Sequence, residues 1–272
     1  MALLAPSLPA GVLRGDGPGE VDEVLAWESA DLAPVFSGSP LPDRLRNFDS
    51  AFVYSRDDQL ARALAPHVAQ VRRRDPLPPP GSGHAAAWLA GLVADDPVEP
   101  PSLHPTPEEL ERAHAWLTRL PPGFLALHPG SGAAAKNWPT DRFARLARAL
   151  SPDAPWLLVA GPADSEASRT LAAEPGALLA DRLPLRVLGA LLSRAGLYVG
   201  NDSGVSNLAA AYAAPTIALF GPTDPEVWRP LGPSVRVVHA PGGRIADLAF
   251  DLVLDAARGA SRRPSLPAET VT

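Results

Sequence analysis

Short apolar runs alternate with amphipathic stretches along the second half of the chain. The runs hold three to five residues and are bounded by Gly, Pro, Asp or Ser, as buried strands are, whereas the stretches repeat apolar residues every three or four positions, as helices do. This alternation predicts a parallel sheet with right-handed crossovers and helices on both faces. The predicted strands are 124–128, 156–160, 177–180, 197–199, 216–220 and 235–238, and the predicted helices are 140–150, 165–173, 185–194, 203–212 and 246–258.

The first half gives weaker signals of the same α/β alternation. We predict strands at 24–27, 50–54 and 68–71 and helices at 41–47, 57–65 and 84–93. A stretch rich in Pro and acidic residues at 95–107 then separates the two halves, which indicates a linker. We therefore expect two Rossmann-like domains facing a cleft, with a reduced N-terminal domain at 1–100, a C-terminal domain at 101–260 and a loose tail at 261–272.

The C-terminal half opens on a helix predicted at 107–120. Thr106 is its expected N-cap, Pro107 stands at the first helical position, and Glu108 and Glu109 lie in the first turn, where the helix dipole favours negative charge.

Composition excludes several classes of function. Hydrophobic residues make up 46% of the 272 residues and charged residues 20%, which is enough apolar material for a folded core. A net charge of −6 argues against bulk attraction to nucleic acid. The absence of cysteine excludes disulfides, thiolate metal ligands and a cysteine nucleophile. No apolar run has the length of a membrane span and the start lacks the basic residues of a signal peptide, so we expect a cytoplasmic protein.

The loop after run 124–128 contains the parts of a phosphate cradle. Gly130 and Gly132 let backbone amides approach an anion closely, Ser131 adds a hydroxyl donor and Lys136 adds a positive charge, ahead of a helix that we expect Thr140 to cap. The loop is not a P-loop, because the lysine precedes Asn-Trp-Pro and does not enter the helix directly. The alternative is an ordinary strand-to-helix loop with a solvated lysine.

A second strand-to-helix loop follows run 197–199. Asp202 or Ser203 can cap the next helix, and the amides of Ser203, Gly204 and Val205 are positioned, with the helix dipole, to favour a phosphate. The alternative is a capping role alone. Two weaker candidates lie on the same rim: Thr223 and Asp224 after run 216–220, and the loop before the helix at 165–173, whose carboxylates either bind ribose hydroxyls or sit favourably at a helix start.

In this order and spacing, the loops resemble those of glycosyltransferase family 9, the ADP-heptose:lipopolysaccharide heptosyltransferases and their relatives. The resemblance rests on His-Pro-Gly-Ser-Gly before Lys136-Asn-Trp-Pro, on Gly161-Pro, on Gly200-Asn-Asp-Ser-Gly before Leu-Ala-Ala, and on Pro215-Thr-Ile-Ala-Leu-Phe-Gly-Pro-Thr-Asp-Pro. It covers residues 121–240 well and the first 95 residues only loosely. It implies the two-domain GT-B fold, with an acceptor-side N-terminal domain and a C-terminal domain that binds the nucleotide sugar.

The resemblance also implies an activity and a set of contacts. The activity is transfer of a sugar, typically a heptose, from a nucleotide-diphosphate sugar such as ADP-heptose to a lipopolysaccharide-core acceptor, without a metal or other cofactor. Lysine charge and helix amides would then stabilise the departing diphosphate. The implied contacts are Ser131, Gly132 and Lys136 to the diphosphate, Glu166 to the ribose, and Asp202, Ser203, Gly204 and Asn207 to the phosphates and sugar.

Two departures from the family pattern open an alternative. Asn207 stands where the family has histidine, so it can donate a hydrogen bond but carries no charge. The family's first strand and its Gly-Asp loop, which supplies the presumed catalytic base, have no counterpart in the first residues, and Asp16 after Gly15 is not assigned to that role. No catalytic residue is therefore assigned. The alternative is a degenerate nucleotide-sugar-binding module that is weakly active or inactive, and a sugar-nucleotide epimerase is a third, less favoured function.

The expected partners are the nucleotide sugar and a glycolipid or saccharide acceptor. Arg72, Arg73 and Arg74 form a basic run that is either a solvated strand end or a contact for an anionic acceptor or the inner membrane surface. Four scattered histidines show no metal-ligand spacing, so we expect no metal site.

Overall fold

The chain forms two compact units in the computed structural model, an N-terminal unit (Met1–Glu99) and a C-terminal unit (Pro100–Thr272). The structure describes residues 2–5, 13, 21–26, 29, 42–45, 48–94, 97–161 and 165–261. The division between the units falls inside the stretch rich in Pro and acidic residues. The functional roles expected of the two halves stay predictions.

The N-terminal unit carries two pairs of parallel strands in its described part. A small core of apolar side chains, among them Leu25, Val53 and Leu64, supports them. The strands are β1 (Ala2–Ala5) paired with β2 (Glu23–Ala26), and β3 (Ser50–Tyr54) paired with β4 (Gln70–Arg74), and the helices are α1 (Gln59–Leu64) and α2 (Ala85–Ala90). The helix predicted at 41–47 is reduced to a single 3₁₀ turn at Asp43–Leu45 in the described residues.

A six-stranded sheet organises the C-terminal unit, and every strand pair in it is parallel. Its strand order is β7-β6-β5-β8-β9-β10. The strands are β5 (Leu125–His128), β6 (Trp156–Ala160), β7 (Ala177–Asp181), β8 (Leu197–Asn201), β9 (Thr216–Phe220) and β10 (Val235–His239). The alternating apolar pattern therefore predicted this sheet and its parallel pairing correctly.

The four central strands are buried at every position, because apolar side chains on both of their faces are covered. The edge strands β7 and β10 alternate or are partly exposed. The helices of this unit are α3 (Pro107–Leu117), α4 (Thr140–Leu150), α5 (Ser165–Ala172), α6 (Leu185–Leu192), α7 (Gly204–Ala211), α8 (Pro225–Trp228) and α9 (Phe250–Ser261). In the described ranges, no helix has both the length and the apolar character needed to cross a membrane.

Several boundaries differ from the predicted ones for local reasons. Pro139 is the N-cap of α4 and makes no side-chain capping bond, so Thr140 is the first helical residue and not the cap, contrary to the expectation. A 3₁₀ turn at Ile245–Asp247 delays α9 until Phe250. Helix α9 includes Ser261, which was assigned to the loose tail, and residues 262–272 lie outside the described ones.

Candidate functional site

The strand order of the C-terminal unit reverses between β5 and β8. The chain runs from β5 through β6 to β7 on one side of the sheet and from β8 through β9 to β10 on the other. Open parallel sheets bind ligands beyond the carboxyl ends of their strands at such a reversal. His128 pairs in register with Gly200, so the two predicted loops leave the sheet side by side. We call them corner A (residues 129–139) and corner B (residues 201–204).

A buried asparagine ties corner A to corner B. Asn201, the last residue of β8, is fully buried. Its Oδ1 accepts a hydrogen bond of 3.0 Å from the backbone N–H of Trp138, and its Nδ2 donates one of 2.7 Å to the carbonyl of Pro129. Trp138 is itself buried and donates from Nε1 to the carbonyl of Leu248 at 3.0 Å. Both ends of corner A are therefore fixed relative to β8.

An ion pair joins the charged side chains of the two corners. Lys136 Nζ lies 3.0 Å from Asp202 Oδ2, and the two side chains are 23% and 11% exposed. Thr223 donates from Oγ1 to the same carboxylate oxygen at 2.8 Å. Thr223 belongs to the loop after β9, which we call corner C (residues 221–224). Three strand ends thus meet at one carboxylate oxygen, and the Lys136 side chain stays partly exposed.

A network of hydrogen-bonded hydroxyl groups stabilises corner B. Ser203 is the N-cap of α7, where its Oγ accepts from the N–H of Ser206 at 3.4 Å, and it lies 3.3 Å from Nδ1 of His128. Ser206 donates to the carbonyl of Asn201 at 2.6 Å and lies 3.1 Å from the hydroxyl of Tyr198. Of the two cap candidates, the structure selects Ser203 and leaves Asp202 for the ion pair.

Backbone groups around the pair are suited to an anion. The N–H groups of Gly204 and Val205 lie in the first turn of α7 and have no intrahelical acceptor. A side chain added at Gly132 or Gly204 would meet no atom within 4 Å, so both glycines border open space. The Lys136 ammonium and the positive end of α7 therefore flank a region that an anion can enter.

The other predicted site residues are Ser131, Asn207 and Glu166, and the structure describes the side chains of the first two. Ser131 lies in corner A, and its Oγ is 2.6 Å from Oδ1 of Asn137 and 2.8 Å from the carbonyl of Ala133, so its hydroxyl holds the corner together. Asn207 is exposed on α7 and donates to the carbonyl of Ser203 at 3.1 Å. The side chain of Glu166 and residues 162–164 before it lie outside the described part of the structure. Its ribose contact stays a prediction.

Sequence reasoning missed the roles of Asn201 and Thr223, although both stand in the loops that it singled out. A buried amide that bridges two loops, and a hydroxyl that orients a carboxylate from a third, become visible only when the strand order is known. Lys136 has a further signal in the sequence, because it is the only lysine of the chain and the other 23 basic residues are arginines. This position therefore carries a compact ammonium group, whereas every other Lys or Arg position carries a planar guanidinium group.

The basic run of the N-terminal unit binds backbone carbonyls of that unit. Arg74 donates to the carbonyls of Trp88 and Gly91, and its guanidinium lies 4.5 Å from the centre of the Trp88 ring. Arg73 donates to the carbonyl of Ser55 at 2.6 Å. Arg72 reaches the carbonyl of Leu92 at 3.5 Å. Among the described residues, no group of three or more His, Asp or Glu side chains could hold a metal ion.

Comparisons with known proteins bear on the family and the fold of the chain. A sequence profile of glycosyltransferase family 9 (heptosyltransferase) matches residues 93–249. Lipopolysaccharide heptosyltransferase 3 of Escherichia coli K12 is 34% identical over 114 residues, which are 39% of this chain and 33% of the relative. The chain spans between a third and a half of the length of the curated relatives that it matches first.

Two solved structures share the fold. The family 9 glycosyltransferase of Veillonella parvula DSM 2008 aligns with a TM-score of 0.76 and 17% identity, covering 96% of this chain and 87% of that one. E. coli heptosyltransferase WaaC with ADP aligns with a TM-score of 0.68 and 18% identity, covering 94% and 89%. These likenesses show an α/β fold of the GT-B heptosyltransferase kind. Because the family profile matches more than half of the residues, the chain belongs to glycosyltransferase family 9.

Proposed function

We propose that the protein transfers a sugar, heptose, from a nucleotide-diphosphate sugar, ADP-heptose, to an acceptor saccharide of the lipopolysaccharide-core type. The observation that carries the proposal is the meeting of Lys136 and Asp202 beyond the carboxyl ends of β5 and β8. Membership of family 9 supports the transfer of sugar, and the relatives, which are lipopolysaccharide heptosyltransferases, support heptose and the kind of acceptor. The structure of E. coli WaaC with ADP supports ADP as the nucleotide.

The proposed chemistry places negative charge where the site can stabilise it. The bond between the anomeric carbon and the diphosphate oxygen breaks, and a bond from that carbon to the acceptor oxygen forms. The Lys136 ammonium and the N–H groups at the start of α7 would stabilise the departing diphosphate, and we infer that no metal is needed. A base must also take the acceptor hydroxyl proton; Gly15 and Asp16 lie outside the described residues, and no residue is assigned to that role.

The further contacts complete the proposal. A side chain added at Gly132 or Gly204 would meet no atom within 4 Å, and we infer that diphosphate oxygens lie beside these two glycines. Ser131, Ser203 and Asn207 would contact the phosphates or shape the corners that do. Glu166 would bind the ribose. We keep the cytoplasmic location and peripheral contact with the inner membrane surface as predictions.

Chemical footprinting of Lys136 tests the ligand directly. Because the chain has one lysine, an amine-selective reagent can modify only this side chain and the amino terminus. We expect ADP to protect Lys136 from modification, as measured by mass spectrometry of the corresponding peptide. The amino terminus serves as an internal control and should react at an unchanged rate. Equal reaction of Lys136 with and without saturating ADP would contradict the proposal.

A titration and a transfer assay separate the proposed enzyme from the alternative. Calorimetric titration with ADP and with UDP identifies the nucleotide, and ADP-heptose with a core saccharide acceptor tests turnover on the same sample. Transfer of heptose supports the enzyme. Tight binding without turnover supports the nucleotide-sugar-binding module.

A further inference from the structure

Corner C reaches the site through a single side chain. Thr223 lies between β9 and α8, and it donates from Oγ1 to Asp202 Oδ2 at 2.8 Å. Lys136 Nζ binds that same oxygen at 3.0 Å. Both donors therefore use one oxygen of the carboxylate, which holds that oxygen in place.

The position of Thr223 is itself held by packing. A side chain added at Gly221 would come within 2.7 Å of Ile245, so the backbone of corner C lies tightly against the 3₁₀ turn at Ile245–Asp247. Nε2 of His239 lies 3.0 Å from the carbonyl of Gly221. On the other side, Asp224 caps α8 by accepting from the N–H of Glu226 at 2.9 Å. The threonine hydroxyl therefore reaches Asp202 from a fixed loop.

We propose that Thr223 is a positioning residue for diphosphate binding, acting through Asp202 on Lys136. The inference rests on the proposed function. Asp202 is negatively charged and stands beside the region assigned to an anionic ligand, so its charge opposes binding unless donors neutralise and orient it. Lys136 neutralises the carboxylate, and the hydroxyl of Thr223 helps to orient it. Without the hydroxyl, one of the two donors to Oδ2 is lost, so Asp202 holds Lys136 less firmly and its oxygen is less screened from the diphosphate.

The test compares variants that differ by one hydroxyl group in the full-length chain. Thr223→Val keeps the shape of the side chain and removes the donor, and Thr223→Ser restores the donor. Thr118→Val is the matched control, because its hydroxyl donates at 3.0 Å to the carbonyl of His114 on α3, outside the three corners. Thr223→Ala provides a second variant if valine disturbs folding. Each protein is titrated with ADP and with adenosine, and its thermal unfolding is recorded.

We expect Thr223→Val to weaken ADP binding by about tenfold, near the lower end of the effect of hydrogen bonds to charged groups. Adenosine binding should not change, because adenosine has no phosphate for the Lys136–Asp202 pair to hold. Thr223→Ser and Thr118→Val should bind ADP like the original chain.

Three outcomes would overturn the inference while leaving the proposed function standing. They are unchanged ADP affinity in Thr223→Val and Thr223→Ala, an equal loss in Thr223→Ser, and a parallel loss of adenosine affinity that reveals a general structural role. Failure of the original chain to bind ADP would instead overturn the proposed function and this inference together.

Discussion

Lys136 is the only lysine of the chain, and it supplies the positive charge of the site. Its ammonium lies 3.0 Å from Asp202, with 23% of the side chain exposed, so it can bind an anion without leaving its partner. We expect Lys136→Ala to reduce the affinity for ADP by about 1.5–3 kcal/mol, the range for hydrogen bonds to charged groups. Calorimetric titration measures this change.

The matched control for that variant removes a cation elsewhere in the same unit. Arg148 forms an ion pair with Glu174 at 2.6 Å and is 62% exposed. Arg148→Ala should leave the affinity for ADP unchanged, because Arg148 lies in the last turn of α4, away from the corners, and its carboxylate partner is Glu174. If Lys136→Ala binds ADP as well as the original chain does, Lys136 is not part of the site.

Asn201 gives a prediction about stability. Asn201→Ala leaves the N–H of Trp138 and the carbonyl of Pro129 without their partner in a fully buried place. Each of the two buried groups left unpaired costs about 1–3 kcal/mol, so we expect the free energy of unfolding to fall by about 2–6 kcal/mol. Urea denaturation measures it.

A second asparagine in the same region controls for the loss of an amide. Asn207 is exposed, and its side chain makes one hydrogen bond to the carbonyl of Ser203. Asn207→Ala should change the free energy of unfolding by no more than about 0.5 kcal/mol, as exposed substitutions do. Equal losses in the two variants would show that the amide of Asn201 does not hold the two corners together.

At the scale of elements, Glu109 both takes part in capping α3 and forms an ion pair with a residue of α6. Glu109 accepts from the N–H of Thr106 at 2.9 Å, which completes a capping box on α3, and it also accepts from Nε of Arg186 on α6 at 2.7 Å. Both charged side chains of this pair are mostly buried. The start of α3 is therefore tied to the first turn of α6.

We expect Thr106→Ala to lower the free energy of unfolding by about 1 kcal/mol, since it removes one capping bond. Glu109→Ala should cost more, about 2 kcal/mol, because it removes a capping bond and also the charged hydrogen bond from Arg186 to Glu109. Glu108→Ala is the control, because Glu108 lies exposed in the same turn. Guanidinium denaturation ranks the three variants, and a Glu109→Ala variant as stable as Glu108→Ala would contradict the dual role.

The sequence predicted best those elements that are fully buried, because burial requires apolar residues at every position. The runs at 156–160 and 216–220 became β6 and β9 with unchanged bounds, because buried strands need uninterrupted apolar residues. Capping chemistry placed the start of α3 correctly. Helix α8 and the 3₁₀ turn at Ala134–Lys136 were missed, because elements of three or four residues have no repeat from which a period can be detected.

At the scale of the whole molecule, the sequence indicated corners A and B as the main candidate loops and corner C as a weaker candidate on the same rim. It did not indicate the bond from Thr223 to Asp202. All strands of a parallel sheet end on the same edge, so corners A and B could be expected there, but their side-by-side placement depends on the pairing of β5 with β8. Corner C joins them only because β9 lies next to β8 in the strand order, which no local pattern specifies. The bond from Thr223 to Asp202 depends on that order.

The C-terminal unit contains every described residue assigned to the nucleotide diphosphate, and it has its own core around the central strands. We therefore expect a fragment of residues 100–261 to fold by itself and unfold in one cooperative transition, as a domain with a separate core does. Its affinity for ADP should lie within about threefold of that of the full chain, a difference of less than about 1 kcal/mol. Lys136→Ala in the fragment controls for nonspecific binding. A folded fragment that binds ADP more than about tenfold more weakly would show that the N-terminal unit supplies contacts to the nucleotide.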